Sequence, residues 1–245
     1  LCSKIDYLCT IRHYTAKKFI GWSKIRISKY FYVPNCIDEK KFQFRGKNGK
    51  IIKKYNLKKK KIIISCGRMD IEDKFKGIDE ILEILSELSK NNKDLIYLII
   101  GDGDDKKRLE DKAKNLKVSH LVMFLGNLNE KDKIDLFKIG HVMSMPGSRK
   151  GFDRYPYRFV NLEGLAAGMH VLCSKLDDKS DLNDSNIKML TQVNPHNKKD
   201  VIKKFNLLFS QNKKKHSKIK NFFFRKFKKK IENIILKISK KTKDL

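Results

Sequence analysis

KIIISCGRMDIEDKFKGIDEILEILSELSKNNKDLIYLIIGDG, residues 61–103, decides the fold. It opens on a β-branched apolar run ending in glycine (61–67), the pattern of a short strand buried on both faces. Ile78, Ile81, Leu82, Leu85 and Leu88 then recur at three- and four-residue steps, which predicts a helix over 77–90 with one apolar face. LIYLIIGDG (95–103) is a second buried strand, again closed by glycine. A strand, a long crossover helix and another buried strand make a parallel βαβ unit, because parallel strands need a crossover of this length.

Outward from that unit the pattern repeats. DDKKRLEDKAKNL predicts a helix and LVMFLG (121–126) a strand. KDKIDLFKIG predicts a third helix, HVMSMPG (141–147) a fourth strand, FVNLEGLAAG a helix and HVLCS (170–174) a fifth strand. The fold class is therefore α/β, a Rossmann-like doubly wound parallel sheet with helices on both faces. Upstream, IDYLCT (5–10) reads as a short strand and HYTAKKFIGW as a helix capped by Thr15 or starting a residue or two earlier. KYFYVPNCID reads as a strand broken at Pro34. Residues from about 39 to 61 read as a polar, lysine-rich connector with a turn at GKNGK.

With 245 residues, 40% of them apolar and 10% aromatic, the chain can bury a substantial core. No apolar run approaches the roughly 20 residues that span a bilayer. The start, LCSKIDYLC, has neither an initiator methionine nor the layout of a signal peptide, so we expect the chain to begin within a longer gene product. Five cysteines (2, 9, 36, 66 and 173) form no CxxC pair. Cys9, Cys66 and Cys173 lie in apolar contexts, the pattern of reduced, buried thiols in a cytosolic protein. The formal charge of +29 is mostly lysine spread along the chain. Lysine travelling with isoleucine and asparagine is what an AT-rich genome encodes; a preference for anionic partners is the alternative. There is no RGG or aromatic-interleaved repeat, so nucleic acid is not an expected partner. None of the six histidines is spaced with a serine or cysteine as a hydrolytic triad requires.

Chemistry in an open parallel sheet sits outside the carboxyl ends of the strands. Those ends read CGRMD, IIGDG, FLGN, MPGS and CSK, and four contain glycine. Each glycine alone is an ordinary strand-to-helix turn; together on one edge they let backbone N–H groups approach a phosphate. Arg68 and Lys76 place two cations in the loop after the strand at 61–67. Glu163 is a lone carboxylate in an otherwise apolar or small-residue helix, beside Ala166, Ala167 and Gly168. It is either a solvent-facing helix glutamate or a ligand contact, since a buried acid needs hydrogen-bond partners.

At this point the residues resemble a family. VPNCIDEKKF, SCGRMDIEDKFKGIDEILEIL, LIIGDGDDKKRLEDKA, MFLGNLNEKDKIDLF and GFDRYPYRFVNLEGLAAGMHVLCS, in that order from about 30 to 175, resemble the C-terminal, donor-binding half of family 4 retaining glycosyltransferases of GT-B fold. The resemblance divides the chain into 1–30, a remnant of the acceptor-binding domain, 31–210, the nucleotide-sugar-binding domain, and 211–245, a C-terminal basic amphipathic helix. It implies that Gly67, Arg68 and Lys76 hold the donor diphosphate and stabilise the leaving group. Phe124, Leu125 and Gly126 would lie against the base, and Glu163 would accept both ribose hydroxyls. No metal or other cofactor is implied, and the Asp pairs at 104–105 and 177–178 read as solvated turn residues. One departure stands out: the acid that precedes the family's glycine loop is Lys150 here, followed by Gly151, Phe152 and Asp153, with Glu163 thirteen residues on. Either Asp153 replaces that acid, or this chain reads its sugar differently, or sugar binding has decayed. Arg154 and Arg158 are diphosphate contacts or solvated loop cations.

The C-terminus, NFFFRKFKKKIENIILKISKK, lines up Phe224, Phe227, Ile231, Ile234 and Ile238 with lysines off that line. This stripe either packs against the protein or docks residues 222–240 on the anionic inner face of the cell membrane. The implied function is transfer of a sugar from a UDP- or GDP-sugar to a glycan or lipid-linked acceptor, in the cytoplasm, for cell-surface polysaccharide or lipopolysaccharide synthesis. The catalytic residues would lie mostly on the other domain, leaving this chain inactive alone. A non-catalytic nucleotide-sugar-binding fragment that needs a partner chain is the alternative.

Overall fold

The computed structural model describes residues 5, 7–24, 30–42, 48–147, 159–175, 189–211 and 224–243. In chain order the elements are β1 (Leu8–Thr10), α1 (His13–Ser23), β2 (Tyr30–Tyr32), α2 (Glu39–Phe42), α3 (Gly49–Lys54), β3 (Lys61–Cys66), α4 (Ile78–Lys90) and β4 (Leu95–Ile100). There follow α5 (Lys106–Asn115), β5 (Val122–Phe124), α6 (Glu130–Ile139), β6 (Val142–Met145), α7 (Phe159–Ala166) and β7 (His170–Ser174). β8 (Leu190–Val193), α8 (Lys198–Ser210) and α9 (Phe224–Lys243) complete the series. The chain forms two compact units, one of residues 1–39, 177–186 and 219–245, the other of 40–176 and 187–218.

The larger unit is built on six parallel strands in the order β5-β4-β3-β6-β7-β8. The strand order reverses between β3 and β6, the topological switch point at which doubly wound sheets open a crevice. All six residues of β4 are buried, as its unbroken apolar run requires of a strand covered on both faces. Ile63, Tyr97, Ile99, Val142 and Leu172 pack with the apolar stripes of α4, α5 and α8 in one core. On the other face α7 comes down on β6, where Gly164 leaves room for Met143: a Cβ at Gly164 would stand 3.0 Å from that of Met143. The expected stripe of α4 is buried throughout, with Ile84 added to it, and Asp79 and Glu80 sit favourably at its N-terminus.

Several expectations change. The polar connector contains two helices, α2 and α3. Asn48 caps α3 by accepting from the Lys50 N–H and donates its amide to Asp135 at 2.6 Å, while Lys54 reaches Asp132 at 3.0 Å. Its apolar residues are too few for periodicity to show, and those long-range bonds to α6 hold it. β8 and α8 extend the sheet beyond the five strands expected. Asp105 is not a solvated turn residue: it is buried and paired with Arg108, while Asp104 accepts from the Ile71 N–H at 2.8 Å. Residues 177–178 lie outside the described residues. Cys9, Cys36, Cys66 and Cys173 are free thiols; of the three expected to be buried only Cys173 is fully so, Cys66 being half-buried and Cys9 exposed on a strand that, among the described residues, pairs with β2 alone.

In the smaller unit β1 and β2 pair in parallel, and helix α1 takes the earlier of the two expected starts, beginning at His13 with Arg12 as its N-cap. The His13 ring stacks on Tyr32 at 4.1 Å between centroids and meets the Tyr30 hydroxyl at 3.2 Å. Along α9, Ile234 is buried and Phe227, Ile231 and Ile238 are half-buried, with Lys230 over the Tyr32 ring at 4.8 Å. The stripe is thus turned into the protein; Ile235 and Leu236 face outward.

Candidate functional site

Because every strand of the main sheet points the same way, the glycine-marked ends meet at one edge. At the switch point the ends of β3 and β6 face each other. The loop leaving β3 runs out through Gly67 and Arg68, makes a 3-10 turn over Ile71–Lys76, and returns to lean on the end of β6 at Gly77. Gly77 has φ +89°, and a Cβ there would fall 2.4 Å from the Gly147 nitrogen and 2.6 Å from the Pro146 ring. No side chain fits, so this glycine is what lets the two strand ends approach. The loop is tied to the end of β4 by the Met69 N–H donating to the Asp102 carbonyl and the Asp105 N–H to the Met69 carbonyl, each at 2.8 Å.

That loop presents the two predicted cations together. The Lys76 ammonium donates to the Arg68 carbonyl at 2.5 Å, and its stem lies across Gly67, 3.4 Å from where a Cβ would stand. Arg68 stands out from the edge, its side chain 77% exposed, beside Asp70 at 3.1 Å. A solvent-exposed pair of this kind is worth little, so an incoming polyanion displaces the Asp70 contact cheaply. A small cavity behind the loop is bounded by both cations together with Asp79 and Asp105.

Glu163 is not a solvent-facing glutamate. Its side chain is 19% exposed, and both carboxylate oxygens face the Lys133 ammonium of α6, at 3.1 and 3.2 Å. Cys66, at the end of β3, lies near this pair and near Lys76 of the loop. Burial pushes its thiol up to about 11, and the charges of Lys133, Glu163 and Lys76 all act on it. At neutral pH the thiol is therefore protonated, so Cys66 is not poised as a nucleophile. Arg68, Lys76, Cys66, Lys133 and Glu163 thus share one edge of the sheet.

The Phe124–Gly126 turn caps the end of β5, where the Leu125 N–H donates to the Ile99 carbonyl and the Gly126 carbonyl accepts from the Gly101 N–H, both at 2.9 Å. Those two backbone groups are committed to β4. Gly151, Phe152 and Asp153, like Lys150, Arg154 and Arg158, lie outside the described residues. Lys133 is the residue that sequence reasoning missed. Its signal was its place four residues before the buried Phe137, on the flank of the apolar face of α6 and not on the polar side.

A family model described as glycosyl transferases group 1 matches residues 47–223, well over half of the chain. The chain belongs to that family. An uncharacterized glycosyltransferase of Methanocaldococcus jannaschii is 32% identical over 117 residues, which are 47% of this chain and 27% of that one. Among solved structures, a glycosyltransferase from Rickettsia africae superposes with a TM-score of 0.68 at 20% identity, covering 84% of this chain and 53% of its own. WaaG, a glycosyltransferase involved in lipopolysaccharide biosynthesis, superposes with a TM-score of 0.67 at 17% identity over 83% of this chain and 54% of its own. Anabaena HepE in complex with UDP has the same TM-score at 15% identity, with the same coverage. At these identities the solved structures establish the fold, a GT-B-like glycosyltransferase architecture. The chain spans about a quarter of the curated relative and about half of the solved ones.

Proposed function

We propose that this chain is the donor-binding half of a family 4, retaining GT-B glycosyltransferase, and that the crevice between β3 and β6 holds a UDP- or GDP-hexose. The observation that carries the reading is the convergence of Arg68, Lys76 and Glu163 on one glycine-lined sheet edge within a glycosyl transferases group 1 chain. Arg68 and Lys76 would take the diphosphate and stabilise the departing nucleoside diphosphate without a metal ion. Glu163 would accept the two ribose hydroxyls, and the Phe124–Gly126 turn would flank the base. Gly151, Phe152 and Asp153 are assigned to the sugar by resemblance alone. HepE, solved with UDP and with UDP-glucose, supports a nucleotide-sugar donor. WaaG supports a glycan or lipid-linked acceptor in cell-surface polysaccharide or lipopolysaccharide synthesis.

Because acceptor recognition belongs to the other half of such enzymes, the test is of donor binding. Any ligand that binds only the folded state raises the thermal midpoint by mass action. UDP or GDP should raise the midpoint of this chain, Glu163→Ala should abolish the rise, and Arg68→Ala or Lys76→Ala should weaken it. A folded protein whose midpoint no nucleoside diphosphate moves contradicts the reading. Peripheral contact with an anionic membrane, on the cytoplasmic side, is part of the same proposal. It rests on the exposed Ile235 and Leu236 amid the lysines of α9. No helix among the described residues is long and apolar enough to cross a membrane.

A further inference from the structure

The contact between Lys133 and Glu163 goes one step further, resting on the reading of Glu163 as the ribose acceptor. A carboxylate offers about four lone-pair directions, two on each oxygen. Lys133 lies almost equidistant from the two oxygens, at 3.1 and 3.2 Å, and so draws on one direction of each. Each oxygen keeps further acceptor capacity, so the lysine fixes the carboxylate without exhausting its ability to accept a ribose hydroxyl.

The lysine is itself held in place. It sits on α6, whose N-cap Asn129 accepts from the Asp132 N–H at 2.8 Å and which Lys54 and Asn48 tether to α3. Its ammonium lies 5.8 Å from the centre of the Phe137 ring, within reach of a cation–π contact. Glu130, the acid one turn earlier on the same helix, is engaged by Lys41 at 2.9 Å, which leaves Lys133 to Glu163. Both members of the pair are mostly shielded, with side chains 24% and 19% exposed, so the contact is screened less than a surface pair.

Charge points the same way. A nucleoside diphosphate is polyanionic, and a bare carboxylate at the ribose end of its site would repel it. Lys133 neutralises that carboxylate, and each oxygen can still accept a further hydrogen bond. We propose that Lys133 is a positioning residue that orients and neutralises Glu163, so that the site selects a ribonucleotide donor carrying both ribose hydroxyls.

Affinities of UDP and GDP, compared with their 2′-deoxy forms by calorimetric titration, test this. Wild type should prefer the ribonucleotide of its cognate base by about tenfold or more, the effect of one hydrogen bond to a charged acceptor. Lys133→Met should bring that ratio close to one while still binding through the diphosphate, and Lys133→Gln serves should the methionine variant not fold. Glu163→Gln should also collapse the ratio, and adding Lys133→Met to it should change the ratio no further, since one residue acts through the other. A Lys133→Met protein that keeps the wild-type ratio overturns the inference. So does one that binds UDP or GDP more tightly than wild type, because Lys133 would then be competing with the ribose. If wild type binds neither diphosphate, the reading of the site itself fails; if it binds but does not discriminate, only the ribose assignment and this inference fall.

Discussion

At the scale of single residues, the site is held together by what Gly77 lacks and by what Lys133 supplies. Gly77→Ala puts a methyl group onto the backbone at Gly147 and forces alanine to φ +89°. It should cost about 2 kcal/mol or more of unfolding free energy by urea titration, since strained left-handed backbone and a backbone clash add. A variant as stable as wild type would show that the two strand ends are not locked at this point. Glu163, Arg68 and Lys76 were legible in the sequence, the first as an acid in an apolar helix and the others as cations beside a glycine-ended strand. Lys133 was not, because its partner lies thirty residues away in sequence and only the packing of α6 beside α7 brings the charges together. The same limit hid the role of Asp105, whose partner Arg108 also pairs with Asp79 on a different helix.

At the scale of elements, α4, α5 and α8 are linked along their outer edge by charges. Arg108 makes two bonds to Asp79 at 2.8 and 2.7 Å, Lys112 joins Asp79 and Glu83 at 2.7 Å each, and Lys198 reaches Glu83 at 2.8 Å. Burial alone would raise the Asp79 carboxyl, but the bonds from Arg108 and Lys112 outweigh it and hold it at about 2, against an ordinary value of 3.8. A carboxyl depressed in the folded state adds stability above its unfolded value and loses it as pH falls toward the folded one. Between pH 4 and pH 2 the wild type should therefore lose about 2 kcal/mol more than Asp79→Asn, as read from urea midpoints along that range. Glu80 and Glu83 titrate in both proteins, so equal losses would count against the network. In α9 the sequence left packing and membrane docking open, and the burial of Ile234 favours packing. Ile234→Ala should cost about 2 kcal/mol or more and Ile235→Ala about 0.5 kcal/mol or less, both by urea unfolding. The strand–helix alternation from Lys61 to Ser174 was readable because buried strands and amphipathic helices carry different periods. The helices α2 and α3 and the strand β8 were not, being short, whereas α8 carries Val201, Ile202, Phe205 and Leu208 at helical spacing and was overlooked.

At the scale of the whole molecule, a formal charge of +29 invites a nucleic-acid reading. We expect otherwise: the cations described above converge at a sheet edge beside a carboxylate, and several lysines pair with acids across or along helices. In a gel-shift titration at physiological salt, double-stranded DNA should form no retained complex; tight binding that survives salt would reverse that view. The central claim is that the crevice between β3 and β6 recognises a diphosphate through Arg68 and Lys76. The most direct measurement is calorimetric titration of the folded protein with the diphosphate, monophosphate and free nucleoside of uridine and of guanosine, repeated for Arg68→Ala/Lys76→Ala. For one of the two bases, affinity should fall stepwise as phosphates are removed, and the double variant should erase most of that step. Equal affinity for nucleoside and diphosphate, or a step unchanged in the double variant, would contradict it.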